Sequence, residues 1–266
     1  MEPVLLAASV NGVCRLTFNR AAQRNAMSVE MLEALHEQVK LAESDIAIRC
    51  IVIDGAGEHF SAGGDVKSWS RLRAMSSAER GDDFKQRLNT VFPLVERLDA
   101  IAKPVIVAVR GYCAGAALGF VLAADFVIAD ESAKFIFANI RAALVPDMGI
   151  TYYLPRVVGR RAAARLCLLG SQLDALQARE LGIVDEVVAA EGFEMAISNL
   201  TGKMTAAPAL ALQETKKLLH LSQHATLLTQ FAAEVHGLAL CAGEPDFLEV
   251  VAAFSERRTP RFNRTS

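Results

Sequence analysis

The chain lacks any cysteine pair at metal-ligand spacing, and it lacks a Cys/His cluster. Its five cysteines are odd in number and lie scattered in apolar surroundings. Structural zinc sites and disulfide frameworks need closely spaced or paired cysteines, so the pattern argues against both. We therefore expect no metal site, and reduced, mostly buried thiols at Cys14, Cys50, Cys113, Cys167 and Cys241.

Strong net charge is also lacking, because 28 Lys and Arg stand against 30 Asp and Glu. A balanced surface provides no overall field to attract nucleic acid or an anionic membrane, so we expect neither as a partner. No apolar run approaches ~20 residues without a charge or a helix breaker, which argues against a membrane-spanning helix. Residues 1–6 lack the basic start and long apolar stretch of a signal peptide, and we expect a cytoplasmic protein.

An apolar content of 52% is enough for a substantial core. Segments 4–8 and 13–18 have strand character, and Asn11-Gly12 between them predicts a hairpin. Ser28 is a typical N-cap for a helix that runs to about Leu41. Further predicted strands lie at 50–53, 105–109, 126–129, 135–137 and 185–188, with helices at 115–124, 161–169 and 175–181 and an irregular helical region at 67–101.

The pattern becomes mainly helical after Gly159, and three long helical stretches are predicted between Gly192 and Glu256. Repeated strand–helix units followed by helices favour an α/β core with an α-helical tail. We assign residues 1–200 to the core and residues 201–266 to a C-terminal helical region.

Two glycine-bearing segments each follow a β-type apolar run. They are Phe60-Ser61-Ala62-Gly63-Gly64-Asp65-Val66 and Gly111-Tyr112-Cys113-Ala114-Gly115-Ala116-Ala117. Two such turns can aim two backbone N–H groups at one point, where they would stabilise a carbonyl oxygen as it becomes an oxyanion. Gly64 and Ala116 are the candidate donors, because each follows a glycine at a strand-to-helix turn. Taken alone, either segment is more simply explained as a tight turn that packs a helix close to a strand.

Taken together with other motifs in the same order, these segments resemble the enoyl-CoA hydratase/isomerase, or crotonase, family. The resemblance spans essentially the whole chain. The other motifs are Asn19-Arg20…Arg24-Asn25-Ala26-Met27, Ala123-Ala124-Asp125, Pro146-Asp147-Met148-Gly149, Leu154-Pro155-Arg156-Val157-Val158-Gly159 and Phe254-Ser255-Glu256-Arg257-Arg258.

The resemblance implies a crotonase-like spiral of ββα units, with a C-terminal helical region that packs against neighbouring subunits in a homotrimer or a dimer of trimers. It also implies an acyl-CoA substrate whose thioester carbonyl lies between the N–H groups of Gly64 and Ala116. Coenzyme A would enter as part of the substrate, and no metal or redox cofactor is implied.

Two positions depart from the pattern of family members that resemble the hydratase. Those members carry two glutamates, and this chain has Gly119 and Asn139 at the matching positions. Addition of water across a double bond needs one group to activate water and another to protonate the α-carbon. Neither glycine nor an amide can do this, so efficient hydration of the family type is not expected.

Asp147 remains as a carboxylate that could act in catalysis. From sequence alone it is more simply explained as a helix N-cap that follows a proline. By the resemblance, Pro146-Asp147-x-Gly149 matches the acid/base of certain family isomerases, including those that act on ring-derived acyl-CoAs in phenylacetate breakdown. The same position holds the nucleophile in aryl-CoA dehalogenases, but those carry a tryptophan where this chain has Asn139. If Asp147 is the base, burial would need to raise its pKa.

For the CoA moiety, the resemblance implies backbone contacts from Ala62, Gly64 and Val66, a contact of Arg24 with a phosphate or ribose, and an approach of Arg257 from a neighbouring subunit. Each arginine is equally well explained as a solvated surface charge. Residues of the irregular helical region could line the acyl pocket, although half or more of them belong to the core by the usual pattern. They are Trp69, Leu72, Met75, Phe84, Leu88 and Phe92.

Three other polar residues are assigned supporting roles. Asp65 is expected to cap a helix, and Asp125 is expected to be structural. Among the histidines only His59 is expected near the site, as a loop residue.

The sequence favours an enoyl-CoA isomerase that uses Asp147. The alternatives are an atypical hydratase or another enolate-forming lyase, a dehalogenase, and a relative that binds acyl-CoA without catalysing a reaction.

Overall fold

The computed structural model describes residues 2–262. Its strands are β1 (Leu5–Val10), β2 (Val13–Phe18), β3 (Cys50–Gly55), β4 (Val105–Val109), β5 (Tyr112–Ala114), β6 (Phe126–Asp130), β7 (Lys134–Ile136), β8 (Gln172–Asp174) and β9 (Glu186–Val188). Its α-helices are α1 (Val29–Ser44), α2 (Ser77–Ala100), α3 (Leu118–Ala123), α4 (Ile150–Leu169), α5 (Ala175–Glu180), α6 (Phe193–Ala206), α7 (Ala209–Ser222), α8 (Leu227–Ala242) and α9 (Pro245–Glu256).

The strands form two sheets. The larger sheet has the order β1-β2-β3-β4-β6-β9, and the smaller has the order β5-β7-β8. In the larger sheet β1 and β2 are antiparallel, and the remaining pairs are parallel. The helices between these strands make the chain an α/β protein with helices at its C-terminal end, as the sequence predicts.

The core lies on both faces of the larger sheet. Ile51 and Val107 point to the main hydrophobic cluster, whereas Val52 and Ile106 point to a second cluster that α6 covers. This alternation follows from the two-residue side-chain period of a strand. Because both faces are buried, β3 and β4 are continuous apolar runs rather than alternating ones.

Local signals in the first part of the chain are confirmed. Val10 pairs with Val13 around the turn, and both Asn11 and Gly12 have positive φ, as a two-residue type I′ hairpin turn requires. The Ser28 side chain caps α1 by accepting a hydrogen bond from the Met31 N–H at 3.2 Å. The helix continues three residues beyond the predicted end, to Ser44.

Two helical predictions need correction. The irregular region is a 3₁₀ segment over Val66–Ala74 followed by α2, because Ser76 and Glu79 form a capping box that starts a new helix. The stretch after Gly192 contains four helices rather than three. Pro208 stands at the N-cap of α7 and separates this helix from α6.

Within the described residues, no helix has the length and apolar character needed to cross a membrane. The division at residue 200 stays a prediction, and residues 263–266 of the predicted C-terminal region lie outside the described residues.

Candidate active site

The two glycine-bearing segments lie side by side. The Ser61 N–H donates to the Tyr112 carbonyl at 2.9 Å, and the Ala114 N–H donates to the Ser61 carbonyl at 3.0 Å. Gly63 has a φ of +86°, and a Cβ there would lie 2.5 Å from the Ala114 carbonyl oxygen. Only glycine allows this conformation and this close approach. The segments are therefore held together by their own backbones.

Gly64 and Ala116 line the same cavity, which has a volume of about 540 Å³. Within residues 2–262, neither N–H donates to a backbone carbonyl outside its own helical turn. Ala116 lies in a 3₁₀ turn over Gly115–Ala117 that leads directly into α3, so its free N–H stands at a helix N-terminus. Two residues whose backbone N–H groups have no acceptor in the surrounding loops therefore line one cavity.

Asp147 lines this cavity as well. Its Oδ1 atom is buried and has no hydrogen-bond partner among the described residues. Burial raises the pKa of this carboxyl group, because the ionised form loses its hydration. Hydrogen bonding from its own backbone and from the Asn139 amide opposes part of that rise in pKa. The structure therefore brings Gly64, Ala116 and Asp147 together, with the carboxylate in a partly desolvated position.

The capping explanation for Asp147 is wrong. The N-cap of α4 is Gly149, with a φ of 75°, and no side chain caps this helix. Met148 also has a positive φ, of 50°, so the turn before α4 consists of two successive left-handed residues. This turn leaves the Asp147 side chain free of any helix terminus.

Gly119 packs directly against that turn. A Cβ at Gly119 would lie 2.5 Å from the Met148 carbonyl oxygen and still closer to the Met148 Cβ. A longer side chain at this position would therefore collide with the segment that carries Asp147. At the other departure from the family pattern, the Asn139 amide donates to the Val145 carbonyl at 3.3 Å. Neither position supplies a carboxylate to the cavity.

A second cavity of about 820 Å³ adjoins the first at Asp147. Asp147, Met148, Phe84 and Leu88 line both cavities. Of the predicted acyl-pocket residues, Trp69 lines the first cavity and Phe92 the second. Leu72 is buried and lines neither, and Met75 lines neither.

The predicted nucleotide-binding residues divide into two groups. Arg24 and Ala62 are joined by a 2.8 Å hydrogen bond from the Ala62 N–H to the Arg24 carbonyl, and both are exposed close to Gly64. Val66 is exposed on the same segment. Arg257 is instead the C-cap of α9 and lines neither cavity. Within one chain, the structure does not bring Arg257 to the other candidates.

The supporting residues have defined contacts. Asp65 accepts a 3.4 Å hydrogen bond from the Ser68 N–H, which fits the predicted cap, and pairs with Arg20 at 3.0 Å. Asp125 accepts from the Val105 N–H at 2.7 Å and from the Lys216 ammonium at 2.6 Å, which is a structural role. His59 stacks on Tyr112 with ring centroids 4.5 Å apart and lies in a loop, as predicted.

The expectation that His59 alone lies near the site is wrong. His220 of α7 and His224, in the turn that follows α7, line the second cavity together with Asp99, Tyr152 and Tyr153. The four-residue spacing of the two histidines is typical of one face of a helix, although α7 ends at Ser222, and Tyr152-Tyr153 adjoins a family motif. These were the available signals, but their meaning depends on the packing of α7 near α2.

Comparisons with known proteins agree with this geometry. A model of the enoyl-CoA hydratase/isomerase family matches residues 8–265. The 1,2-epoxyphenylacetyl-CoA isomerase of Escherichia coli is 37% identical over 98% of this chain and 99% of that protein. The 2,3-dehydroadipyl-CoA hydratase of Escherichia coli is 35% identical over 97% of this chain and 98% of that protein. An isomerase and a hydratase are thus similar to this chain to nearly the same extent.

The solved structure of an enoyl-CoA hydratase from Mycobacterium smegmatis has a TM-score of 0.88 against this chain, at 31% identity. The match covers 98% of this chain and 99% of that one. The expected crotonase-like α/β fold is therefore confirmed.

Proposed function

The chain belongs to the enoyl-CoA hydratase/isomerase family, and we propose that it is an enoyl-CoA isomerase that shifts a double bond into conjugation with the thioester. One observation carries the proposal. Asp147, whose buried Oδ1 has no partner among the described residues, lines the same cavity as Gly64 and Ala116, the two candidate N–H donors. One carboxylate and two convergent donors suffice to form an enolate and return its proton elsewhere.

The Gly64 and Ala116 N–H groups would hold the thioester oxygen. Each is fixed by a turn whose backbone is already ordered, so neither has to reorganise when negative charge develops on that oxygen. In comparable sites, removal of one such donor slows the reaction by about 10²–10³-fold. The α-carbon becomes acidic enough for a carboxylate base because the resulting enolate is stabilised in this way.

Asp147 would carry the proton. It removes a proton from the α-carbon, the electron pair of that C–H bond forms a double bond between the α-carbon and the thioester carbon, and the carbonyl π pair moves onto the oxygen held by the two N–H groups. On reprotonation the pair of the original β,γ double bond takes the proton at the γ-carbon, the pair at the α-carbon becomes the α,β double bond, and the oxygen pair re-forms the carbonyl. The same carboxylic acid then protonates the γ-carbon and returns to its ionised form, so atoms and electrons balance without a co-reactant. The raised pKa supports this role, because a more basic carboxylate abstracts the proton more readily.

Hydration is the second candidate, because a hydratase is 35% identical to this chain. The contacts around Asp147 favour isomerisation instead. Position 119 has no space for a side chain beside Met148, and position 139 carries an amide. One carboxylate would have to activate water and protonate the α-carbon in turn. Dehalogenation is not favoured, because by the family resemblance aryl-CoA dehalogenases carry a tryptophan where this chain has Asn139.

We extend the proposal to the rest of the substrate. The nucleotide part of CoA would lie along Ala62, Gly64 and Val66, with Arg24 beside it. Arg257 would reach it only from a neighbouring subunit. CoA enters as part of the substrate, and no other cofactor is proposed.

A homotrimer or a dimer of trimers would provide that neighbour. α8 and α9 expose large apolar side chains, including Leu227 (85% exposed), Leu228 (80%) and Phe254 (87%). Apolar surface of this extent on C-terminal helices supports burial between subunits. Light scattering on the purified protein would give the mass of the assembly.

Product analysis tests the proposed reaction. The purified protein is mixed with a 3-enoyl-CoA, and the products are followed by the ultraviolet absorbance of the conjugated thioester and by chromatography. A parallel sample receives the conjugated 2-enoyl-CoA.

We expect the conjugated isomer from the first sample and little water addition in either. A 3-hydroxyacyl-CoA as the main product of both samples would instead identify a hydratase. Binding of CoA thioesters without any conversion would identify a relative that only binds them. Either of these results would overturn the isomerase proposal.

A further inference from the structure

The second cavity ends in a polar group of residues that the proposed reaction does not use. Next to Asp147 its walls are apolar and include Leu88, Val145 and Pro146. We call the polar residues at its other end the distal cluster. The distal cluster consists of Asp99, Tyr152, Tyr153, His220 and His224.

Asp99, Tyr153 and His220 form one half of the distal cluster, in which Asp99 contacts the other two residues. The Asp99 Oδ2 atom lies 3.3 Å from the His220 Nδ1 atom. The Tyr153 hydroxyl interacts with the same carboxylate, and burial together with the charge of Asp99 raises the pKa of Tyr153. Three groups that can donate or accept hydrogen bonds are thus held close together on α2, α4 and α7.

The other half of the distal cluster is more completely paired. The Tyr152 hydroxyl lies 2.7 Å from the His224 Nε2 atom, and it donates to the Gln223 side chain at 3.2 Å. The Arg156 guanidinium stacks 3.7 Å above the Tyr152 ring and fixes its position. This half therefore forms a rigid boundary, and the free hydrogen-bonding capacity lies on the Asp99 side.

Two buried polar atoms belong to residues that line this cavity, the Asp147 Oδ1 and the His220 Nδ1. Neither makes a hydrogen bond within residues 2–262, since the His220 contact with Asp99 is close but not well aligned. Buried polar atoms in folded proteins nearly always have a partner. A group of the ligand that enters the cavity would supply the missing partner at each end.

The charges around the cavity select the kind of group that fits. Glu96 and Asp99 both line it, so a carboxylate at the end of an acyl chain would meet charges of its own sign. A methyl group would leave the buried His220 nitrogen without a partner. A hydroxyl group can donate to the Asp99 carboxylate and accept from an imidazole N–H, and it adds no charge.

We propose that the second cavity binds the distal part of the acyl group and that the distal cluster selects acyl-CoAs whose far end carries a neutral hydroxyl group. This inference rests on the proposed function, because it places the reacting carbons of the same substrate at Asp147. A cavity of about 820 Å³ has the size of a small-molecule site.

Three acyl-CoAs of equal medium chain length test the selection. They are 3-enoyl-CoAs that end in a methyl, a hydroxyl or a carboxyl group, and kcat/KM is measured for each. We expect the hydroxyl compound to exceed the methyl compound by about tenfold, as one added hydrogen bond allows, and the carboxyl compound to be the poorest. His220→Phe should reduce the hydroxyl-to-methyl ratio to about one.

Two further variants keep the result interpretable. His236→Phe changes an exposed histidine of α8 that lines neither cavity, and it should keep the parent ratio. Tyr153→Phe replaces His220→Phe if the latter does not fold, because it removes a neighbouring member of the distal cluster. A parent ratio near one, a preference for the carboxyl compound, or a parent-like ratio in whichever cluster variant folds would overturn the inference.

Binding measurements separate this inference from the reaction itself. Saturated acyl-CoAs with the same three ends are titrated into the protein by calorimetry, which requires no catalysis. If no 3-enoyl-CoA is isomerised but the saturated hydroxyl compound still binds about tenfold more tightly than the methyl compound, the proposed reaction fails and the selection holds. Equal affinities for the two compounds would overturn the selection whatever the reaction is.

Discussion

Replacement of Gly119 by alanine tests whether the position of Asp147 depends on the absence of a side chain in α3. The added Cβ would lie 2.5 Å from the Met148 carbonyl oxygen. Non-bonded carbon and oxygen atoms are normally separated by ~3.5 Å or more, so the turn that carries Asp147 would have to move away from α3 by roughly 1 Å. The Asp147 carboxylate would move with it.

The magnitude follows from that displacement. A shift of ~1 Å in a catalytic group can cost about 10²-fold in rate, which corresponds to roughly 2.7 kcal/mol. Overpacking of this kind also costs about 1–3 kcal/mol of folding stability. We therefore expect Gly119→Ala to lower kcat by about 10²-fold, with a smaller change in KM, since Gly119 does not line either cavity.

The assay compares kcat, KM and the free energy of unfolding of the parent and the variant on a 3-enoyl-CoA. Gly202→Ala is the matched control, because a Cβ at this position of α6 meets nothing within 4 Å. We expect the control to keep the parent kcat and to gain about 0.5–1 kcal/mol of stability, as alanine does in a helix. Parent-like kcat in a folded Gly119→Ala protein would refute the reasoning.

Two further predictions follow from the site. Burial raises the pKa of Asp147 in the folded protein above its ordinary value of 3.8. The stability that this carboxyl group contributes is therefore fully present below pH 3.8, and it is lost as the pH rises through the folded-state pKa. Asp147→Asn should therefore raise Tm at neutral pH but not in acid, and equal Tm differences at the two pH values would contradict this. The kcat/KM of the parent protein should rise with pH, with a midpoint above pH 3.8. Gly63→Ala should lower the free energy of unfolding in urea titrations by about 1–3 kcal/mol. Its Cβ would collide with the Ala114 carbonyl oxygen, and the backbone φ of +86° at this position is strained for alanine. An unchanged urea midpoint would argue against the close approach of the two glycine-bearing segments.

Features that depend on residues close together in the sequence could be predicted from the sequence alone. Asn11-Gly12 indicates its hairpin because both residues tolerate positive φ, and Ser28 indicates the start of α1 because its side chain reaches the Met31 N–H. The two glycine segments could also be predicted to converge, since each follows a parallel strand of the same sheet.

Features that depend on tertiary packing could not be predicted. β5 and β8 have three residues each, which is too short for a periodic signal. The need for glycine at position 119 appears only when Met148 is placed beside it. Likewise His220 becomes part of a site only because α7 packs near α2 and brings its ring to Asp99.

The central claim is that Asp147 moves the proton, and the most direct measurement is kcat of Asp147→Asn at saturating 3-enoyl-CoA. Asp82→Asn, an exposed carboxylate of α2 that lines neither cavity, is the matched control. The account predicts a loss of about 10²–10⁴-fold in Asp147→Asn, with CoA-thioester binding retained, and parent activity in Asp82→Asn. A kcat for Asp147→Asn within about twofold of the parent would contradict it, since a general acid/base is worth ~10²-fold or more.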